Sequence, residues 1–121
     1  MIPAYDSDNI FAKILRGDIP CDKVYEDETT LAFRDIHPQA PTHILVIPKG
    51  AYVSFADFSA MATEAEIVGF IRAVGQVAKE AGVVADGYRL LANHGENAHQ
   101  EVPHFHVHIC GGRALGRLIS A

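Results

Sequence analysis

Three histidines alternate with apolar residues near the carboxyl end of the chain, in the run HFHVHI at positions 104–109. A period of two residues is typical of a β-strand, so His104, His106 and His108 are expected on one face. A buried imidazole needs partners for its ring nitrogens, which makes such a row costly as a purely structural feature. The row therefore indicates either metal binding or catalysis on an anionic substrate.

Metal binding and catalysis make different demands on the row. Histidine is the commonest metal ligand, but three consecutive same-face residues extend over about 13 Å, too far to converge comfortably on one ion. A polar face of solvated histidines is the structural alternative, and it leaves the imidazoles without a use. A neutral imidazole, with an unperturbed pKa of about 6.5, is a competent nucleophile at neutral pH. Flanking histidines can donate hydrogen bonds to phosphate oxygens. The residues thus favour nucleophilic catalysis at phosphorus, with no metal.

The composition fits one packed domain. The chain has 121 residues, of which 49% are hydrophobic, and a formal net charge of −5, which argues against non-specific nucleic-acid binding. Cys21 and Cys110 lie far apart and form no CxxC pair, so neither a disulfide nor a zinc knuckle is expected. The stretch without charged residues at 36–48 is too short for a membrane span. We expect a soluble, cytoplasmic protein.

The apolar periodicity predicts strands and helices in alternating groups. A short helix is expected over residues 9–16, capped by Ser7 and Asp8, and a long amphipathic helix from the capping residue Thr63 to Gly82. The predicted strands are residues 23–26, 30–35, 43–47 and 88–93 and the histidine strand 104–109. Short turns between successive strands favour an antiparallel sheet with helices on one face, an α+β fold.

Two longer runs resemble a known family. The sequence DIHPQAPTHILVIPK at 35–49, together with QEVPHFHVH at 100–108 and GGR at 111–113, resembles the histidine triad (HIT) family, and within it the Hint branch of purine nucleotide phosphoramidases. The segment IFAKILRGDIP at 10–20 fits the same branch. The resemblance implies a single HIT domain over residues 1–121, with a five-stranded antiparallel sheet and two helices. It also implies a homodimer that joins two sheets into one.

The resemblance further implies an activity and its catalytic residues. The activity is hydrolysis of an amine from AMP or GMP through a nucleotidyl-histidine intermediate, without a metal or another cofactor. His106, the central residue of the row, matches the nucleophile. His108 takes a place near the phosphate, while His104 and His43 join a supporting hydrogen-bond network.

Substrate-binding residues are implied in the same way. Asp35 matches a carboxylate that accepts the ribose hydroxyls, although it would also serve as a strand-end cap. Asn93 matches a residue that contacts the phosphate and the leaving group, and Gln100 and Glu101 precede the triad, with Glu101 facing the leaving amine. Residues that match the apolar slot for the base, or else belong to an ordinary core, are Ile10, Phe11, Ile14, Ile19, Phe33 and Ile36.

Two positions near the triad depart from the family pattern. His99 replaces a glycine whose amide contacts phosphate, so its side chain would obstruct the substrate or add a donor. Pro103 stands where an aromatic residue is usual, and His94 has no assigned role. Two other functions stay open at this point: a nucleotide-binding module without turnover, and a dinucleoside polyphosphate hydrolase like those of the Fhit branch.

Overall fold

Five strands form one antiparallel sheet in the computed structural model, which describes residues 3–118. The strands are β1 (Lys23–Glu26), β2 (Thr30–Arg34), β3 (Thr42–Pro48), β4 (Tyr88–Leu91) and β5 (Val107–Gly111). Their order across the sheet is β1-β2-β3-β5-β4. β3 is therefore central, as its apolar sequence suggests, and β4 is an edge strand. The predicted antiparallel five-stranded sheet is confirmed.

Within residues 3–118, three α-helices accompany the sheet, one more than the resemblance implies. They are α1 (Ile10–Leu15), α2 (Phe55–Met61) and α3 (Glu64–Glu80), and a 3-10 turn covers Glu96–Ala98. α3 begins after the predicted capping box at Thr63 and is followed by Gly82, whose φ is 75°. The helix that the prediction lacks, α2, has its own capping box between Ser54 and Asp57.

The first helix is shorter than predicted because a different residue caps it. The Asn9 side chain accepts the backbone N–H of Ala12 at 2.9 Å, so Asn9 is the cap in place of Ser7 and Asp8. Asn9 also donates its side-chain amide to the backbone oxygen of Asp6 at 2.8 Å. These two contacts tie the segment before the helix to its first turn.

Helices cover both faces of the sheet, so the prediction of helices on one face is wrong. One buried cluster joins Ala32, Ile44 and Val46 to the apolar side of α3, including Phe70. Alternate residues of the same strands point to the opposite face, where they pack against α1. That second cluster consists of Phe11, Leu31, Phe33, Leu45 and Ile47. The predicted histidines lie on the α1 face, since the Phe11 and His106 ring centroids are 5.0 Å apart.

Several strands end earlier than predicted, and these ends place site residues in loops. β5 begins at Val107, not at His104, because the backbone before Val107 turns to the segment that follows β3. There the Phe105 N–H donates to the Tyr52 carbonyl at 2.7 Å. β2 ends at Arg34 and β4 at Leu91, which puts Asp35 and Asn93 just outside the sheet. Among residues 3–118, no helix is long and apolar enough to span a membrane.

Candidate active site

A cavity of about 360 Å³ opens on the α1 face beside the histidine row. The structure brings seven of the residues predicted for the site to its wall. These are Phe11, Asp35, His43, Asn93, Glu101, His106 and His108. The wall therefore combines an apolar side, provided by α1, with imidazoles, an amide and two carboxylates.

His106 lies at the base of this cavity with one ring nitrogen fixed and the other free for reaction. Its Nδ1 is 2.7 Å from the backbone oxygen of His104, which can only accept, so Nδ1 carries the proton. The lone pair is then on Nε2, the nitrogen that a nucleophile needs. The ring is 8% exposed and stands edge-on to Phe11. This geometry holds a neutral imidazole with its nucleophilic nitrogen unoccupied.

His104 supports His106 from below and is itself fully buried, at 0% exposure. Its Nε2 donates to the Pro48 carbonyl at 2.8 Å, so its Nδ1 is an acceptor. The donor is the Tyr5 hydroxyl, at 2.6 Å. Both ring nitrogens and the carbonyl of His104 are thus engaged, as a buried polar residue requires.

His43 and His108 form a second chain of hydrogen bonds with a defined direction. The backbone N–H of Gln39 donates to His43 Nδ1 at 3.0 Å, so His43 carries its proton on Nε2. His43 Nε2 is 2.9 Å from His108 Nδ1, to which it donates. The remaining proton of His108 is therefore on Nε2. That atom is buried without a hydrogen-bond partner among the described residues, and it offers an N–H donor for a ligand.

Burial keeps the histidines of the row neutral. Desolvation lowers the pKa of His104 to about 4 despite its bond to Pro48. The pKa of His108 is also lowered to about 4, first by desolvation and then by the neighbouring His106 and His43 rings. The pKa of His106 is lowered by the same burial, which its bond to His104 opposes. All three imidazoles are consequently neutral at neutral pH, with one ring proton each, the form in which His106 can act as a nucleophile.

Asp35 both caps a turn and faces the cavity. Its Oδ1 accepts the backbone N–H of His37 at 2.8 Å, which is the strand-end role that the sequence left open. Its Oδ2 lies 3.5 Å from His43 Nε2 and points toward the imidazole cluster. The side chain is 20% exposed and lines the cavity. The two roles are compatible because a carboxylate has several acceptor positions.

One cluster in the cavity has the composition of a metal site. Asp35, His43 and His108 each offer a ligand atom, and these atoms lie within 4.8 Å of one another. Two imidazoles and a carboxylate would suit Zn²⁺. However, the His43–His108 contact contains a shared proton, which an ion would have to displace. Of these three residues only His108 belongs to the histidine row. The three histidines of the row therefore do not converge on one ion. Metal independence stays a prediction.

The loop before the triad forms the rim of the cavity. Glu101 and His99 are largely exposed there and lie 3.1 Å apart, from His99 Nε2 to Glu101 Oε1. His99 has a φ of 56° and a ψ of 46°, the left-handed conformation that a glycine would adopt without strain. Gln100, predicted to bind substrate, instead uses its side chain to bind the backbone of Gly95 and Val53. It positions this loop.

The predicted apolar slot is only partly assembled around the cavity. Phe11 lines the wall, and Phe33 packs beneath it with its ring centroid 5.5 Å from that of Phe11. Ile14 and Ile19 are half-buried. Ile10 and Ile36 are exposed, Ile36 to 79%. For these exposed residues a core role is excluded, because a core isoleucine would be covered.

Sequence reasoning missed several residues that reach the site. His37, Gln39, Leu45 and Val102 line the cavity, and Tyr5 contacts the row from below. His37 and Gln39 had a usable signal, since they belong to the proline-bounded loop that follows Asp35. His94, which has no predicted role, is exposed, and its Nδ1 is hydrogen-bonded to the Ser54 hydroxyl at 2.7 Å.

Comparisons with known proteins agree with this architecture. A family model described as the HIT domain matches residues 16–115. A 13.2 kDa HIT-like protein of Azospirillum brasilense is 64% identical over 120 residues, which cover 99% of this chain and 98% of that protein. The purine nucleoside phosphoramidase of Escherichia coli (strain K12) is 44% identical over 113 residues, 93% of this chain and 94% of that enzyme.

Solved structures give the same result. A histidine triad protein from Clostridium difficile superposes with a TM-score of 0.83 at 44% identity, over 96% of this chain and 100% of that one. The family model and these relatives span most of the chain, including the triad and the loops that form the cavity. The chain therefore belongs to the histidine triad (HIT) family.

Proposed function

We propose that this protein is a hydrolase that cleaves the P–N bond of purine nucleoside phosphoramidates. The observation that carries the proposal is the pair of ring nitrogens in the cavity. His106 Nε2 has a free lone pair because Nδ1 is bound to a carbonyl, and the buried His108 Nε2 offers an N–H without a partner among residues 3–118. A nucleophile beside an unpaired donor suits attack at a phosphoryl centre.

The reaction follows from these two nitrogens in two steps. In the first, His106 Nε2 forms a bond to phosphorus while the P–N bond breaks and its electron pair leaves with the amine, which takes up a proton from the solvent. The N–H of His108 donates a hydrogen bond to the phosphate during this transfer. In the second, water attacks the nucleotidyl-histidine, the bond between phosphorus and Nε2 breaks, and the proton lost by the water returns to the solvent, which gives the nucleoside monophosphate and restores neutral His106. No oxidant or reductant enters the balance.

The surroundings of the two nitrogens suit one nucleotide. A volume of about 360 Å³ falls at the lower end of the usual range of ligand pockets, about 300–1,000 Å³. Asp35 and Phe11 both line the cavity, where Asp35 Oδ2 would accept ribose hydroxyls and Phe11 would contact a base. The relative from Escherichia coli that is named a purine nucleoside phosphoramidase supports the choice of the purine class and of the P–N bond.

An assay of substrate turnover distinguishes the proposed activity from two other functions. A dinucleoside polyphosphate hydrolase would need space for a second nucleoside beyond this cavity. A binding module without turnover is favoured by one observation, namely that the His99 imidazole stands on the rim in place of a glycine. We expect turnover of adenosine and guanosine phosphoramidates, much slower cleavage of diadenosine tetraphosphate, and unchanged rates after dialysis against EDTA. Binding of AMP by calorimetry with no hydrolysis of either substrate would contradict the proposal.

The proposed assembly is a homodimer formed through the edge strand β4. Apolar residues on β4, α2 and α3 line a groove of about 500 Å³. Several are exposed, including Leu90 at 48%, Ile71 at 64% and Phe55 at 57%. An edge strand with exposed apolar neighbours suits pairing with a second copy, which would continue the sheet. This agrees with the dimer that the family resemblance implies.

Light scattering after size-exclusion chromatography tests the assembly. The wild type is expected to elute as a dimer, and Leu90→Lys as a monomer. Val84→Lys is the matched control, because Val84 is a similarly exposed apolar residue on the turn after α3. A monomeric wild type, or equal dissociation by both variants, would contradict the dimer through this groove.

A further inference from the structure

Tyr5 lies 99 residues before His104 in the chain, yet the two side chains are in contact. The hydroxyl is 2.6 Å from His104 Nδ1, and the ring centroids are 5.5 Å apart in an edge-on arrangement. Tyr5 is half-buried and His104 is fully buried. The contact is therefore removed from bulk water. In the protein interior a hydrogen bond to a single partner has a larger effect than it has in water.

The Pro48 carbonyl decides which tautomer His104 adopts, and the Tyr5 hydroxyl completes the pairing of the ring. His104 Nε2 donates to Pro48, so Nδ1 must accept, and the Tyr5 hydroxyl is the donor found there. Without that donor a buried acceptor is left unpaired. A proton moved to Nδ1 would not relieve this loss, because it would give up the bond to Pro48 and find no acceptor. The Tyr5 O–H thus stabilises one orientation of the His104 ring, in which both nitrogens are paired.

The orientation of His104 matters because its backbone carbonyl holds His106. That carbonyl accepts the Nδ1 proton of His106 at 2.7 Å and so keeps the lone pair on Nε2. A displaced His104 would loosen the bond that fixes the His106 tautomer. Two hydrogen bonds therefore connect Tyr5 to the proposed nucleophile, through the side chain and the main chain of a single residue.

The segment that carries Tyr5 is anchored to the first helix. Asp6 accepts hydrogen bonds from Asn9 through its backbone oxygen, and Arg16 donates to the Ser7 carbonyl at 2.7 Å. Phe11, two residues after the helix cap Asn9, contacts the His106 ring. The segment and α1 consequently approach the histidine row together, with Tyr5 against His104 and Phe11 against His106.

We propose that Tyr5 is a positioning residue for catalysis, whose hydroxyl pairs His104 Nδ1, holds the ring in one orientation and thereby orients His106. The proposal rests on the proposed function for its effect on rate, whereas the hydrogen bond at His104 Nδ1 is a property of the free protein. It concerns a residue outside the cavity wall, so it predicts an effect on turnover without a matching effect on substrate binding.

The test compares Tyr5→Phe with Tyr25→Phe. Tyr5→Phe keeps the ring that packs on His104 and removes only the hydroxyl. Tyr25→Phe removes a comparable hydrogen bond, from the Tyr25 hydroxyl to Asp27 at 2.8 Å, at the far strand β1. For Tyr5→Phe we expect kcat to fall about tenfold while KM changes less than about twofold, as for loss of a group that orients a reacting one. Tyr25→Phe should leave both constants unchanged.

Nitrogen-15 NMR of histidine-labelled protein gives the readout that a merely structural role would not change. The wild type should show a hydrogen-bonded His104 Nδ1, and Tyr5→Phe should shift its nitrogen-15 resonance towards that of an unpaired acceptor nitrogen, while Nε2 keeps its proton. An unchanged His104 Nδ1 resonance, an unchanged kcat, or an equal loss in Tyr25→Phe would each overturn the proposal. The NMR result stands even if the wild type hydrolyses no phosphoramidate, so the two proposals fail independently.

Discussion

The two sides of the segment 104–109, one apolar and one formed by the histidines, are stabilised in different ways. On one side Phe105 and Ile109 are 2% and 0% exposed and pack in the aromatic and aliphatic core under α3, where Phe105 stacks on Phe58 at 4.9 Å. On the other side the imidazoles are buried too, but each is held by hydrogen bonds to particular atoms. The apolar side is stabilised by area and shape, which many side chains provide. The polar side depends on single donors and acceptors, and one lost partner leaves a buried group unpaired.

The largest expected effect is a loss of activity, which should follow substitution on the histidine side of the segment and not on the apolar side. His106→Asn should lower kcat more than about 1,000-fold, because it removes the nucleophilic nitrogen while its amide still donates to His104. Phe105→Leu should destabilise the fold by about 1 kcal/mol but keep turnover within about threefold. Steady-state kinetics and urea unfolding of both variants check this. A His106→Asn enzyme with wild-type kcat would show that the chemistry lies elsewhere.

The next effect is acid destabilisation, which should come from the polar side alone. The pKa of His104 is about 4 in the folded protein and near 6.5 when unfolded, so the unfolded state binds more protons between these values. Stability is therefore complete above pH 6.5 and is lost as the pH falls towards 4, by about 3 kcal/mol for this group. Urea unfolding across this range should show a shallower loss for His104→Gln than for the wild type. The exposed His37→Gln is the control, and an identical loss in all three proteins would contradict the assignment.

Ribose recognition by Asp35 should have a smaller effect. AMP is expected to bind more tightly than 2′-deoxy-AMP, by about 10- to 150-fold, because loss of a charge-assisted hydrogen bond costs about 1.5–3 kcal/mol. Asp35→Ala should remove this difference. Asp18→Ala, which removes an exposed aspartate paired with Arg16, should preserve it. Calorimetric titration decides the matter, and equal affinities for both sugars in the wild type would mean that Asp35 serves the turn only.

The strained position on the rim predicts a modest gain in stability. His99→Gly should stabilise the fold by about 1 kcal/mol. A side chain in the left-handed region costs about 1–2 kcal/mol, and the greater conformational entropy of glycine in the unfolded chain offsets part of the gain from its removal. Asn97→Gly, in the adjacent 3-10 turn, has no positive φ to relieve and should be neutral or destabilising. Thermal unfolding of both variants measures the difference. A loss of stability in His99→Gly equal to that in Asn97→Gly would show that φ carries no strain there.

The smallest effect concerns the leaving group. Glu101 lies on the rim and is 75% exposed, so its interaction with a cationic amine is screened by water. Phosphoramidates with lysyl or alkylamine leaving groups should be preferred over anionic ones, and Glu101→Gln should reduce this preference by about threefold. Glu96→Gln, at an exposed position of the same loop, should leave it unchanged. Equal preferences in all three proteins would make Glu101 an ordinary surface carboxylate.

The sequence predicted the parts of the molecule that depend on local pattern. Alternation placed Phe105 and Ile109 in the core and the histidines opposite, and the capping box placed the start of α3. The prediction failed where distant segments meet. Nothing near Tyr5 indicates that its hydroxyl reaches a residue 99 positions later, and nothing near Gln100 indicates that its side-chain amide binds the backbone of Val53. Which nitrogen of each histidine carries a proton likewise follows from partners that only the folded chain supplies.

The central claim is that the Nε2 atom of His106 attacks phosphorus, and mass spectrometry of rapidly quenched reactions tests it most directly. Wild-type protein mixed with an adenosine phosphoramidate should carry one adenylyl group early in the reaction, and fragmentation should locate it on His106. The adduct should disappear as AMP accumulates, and it should be absent from His106→Asn. Formation of AMP without any adduct, or an adduct on another histidine, would contradict the account.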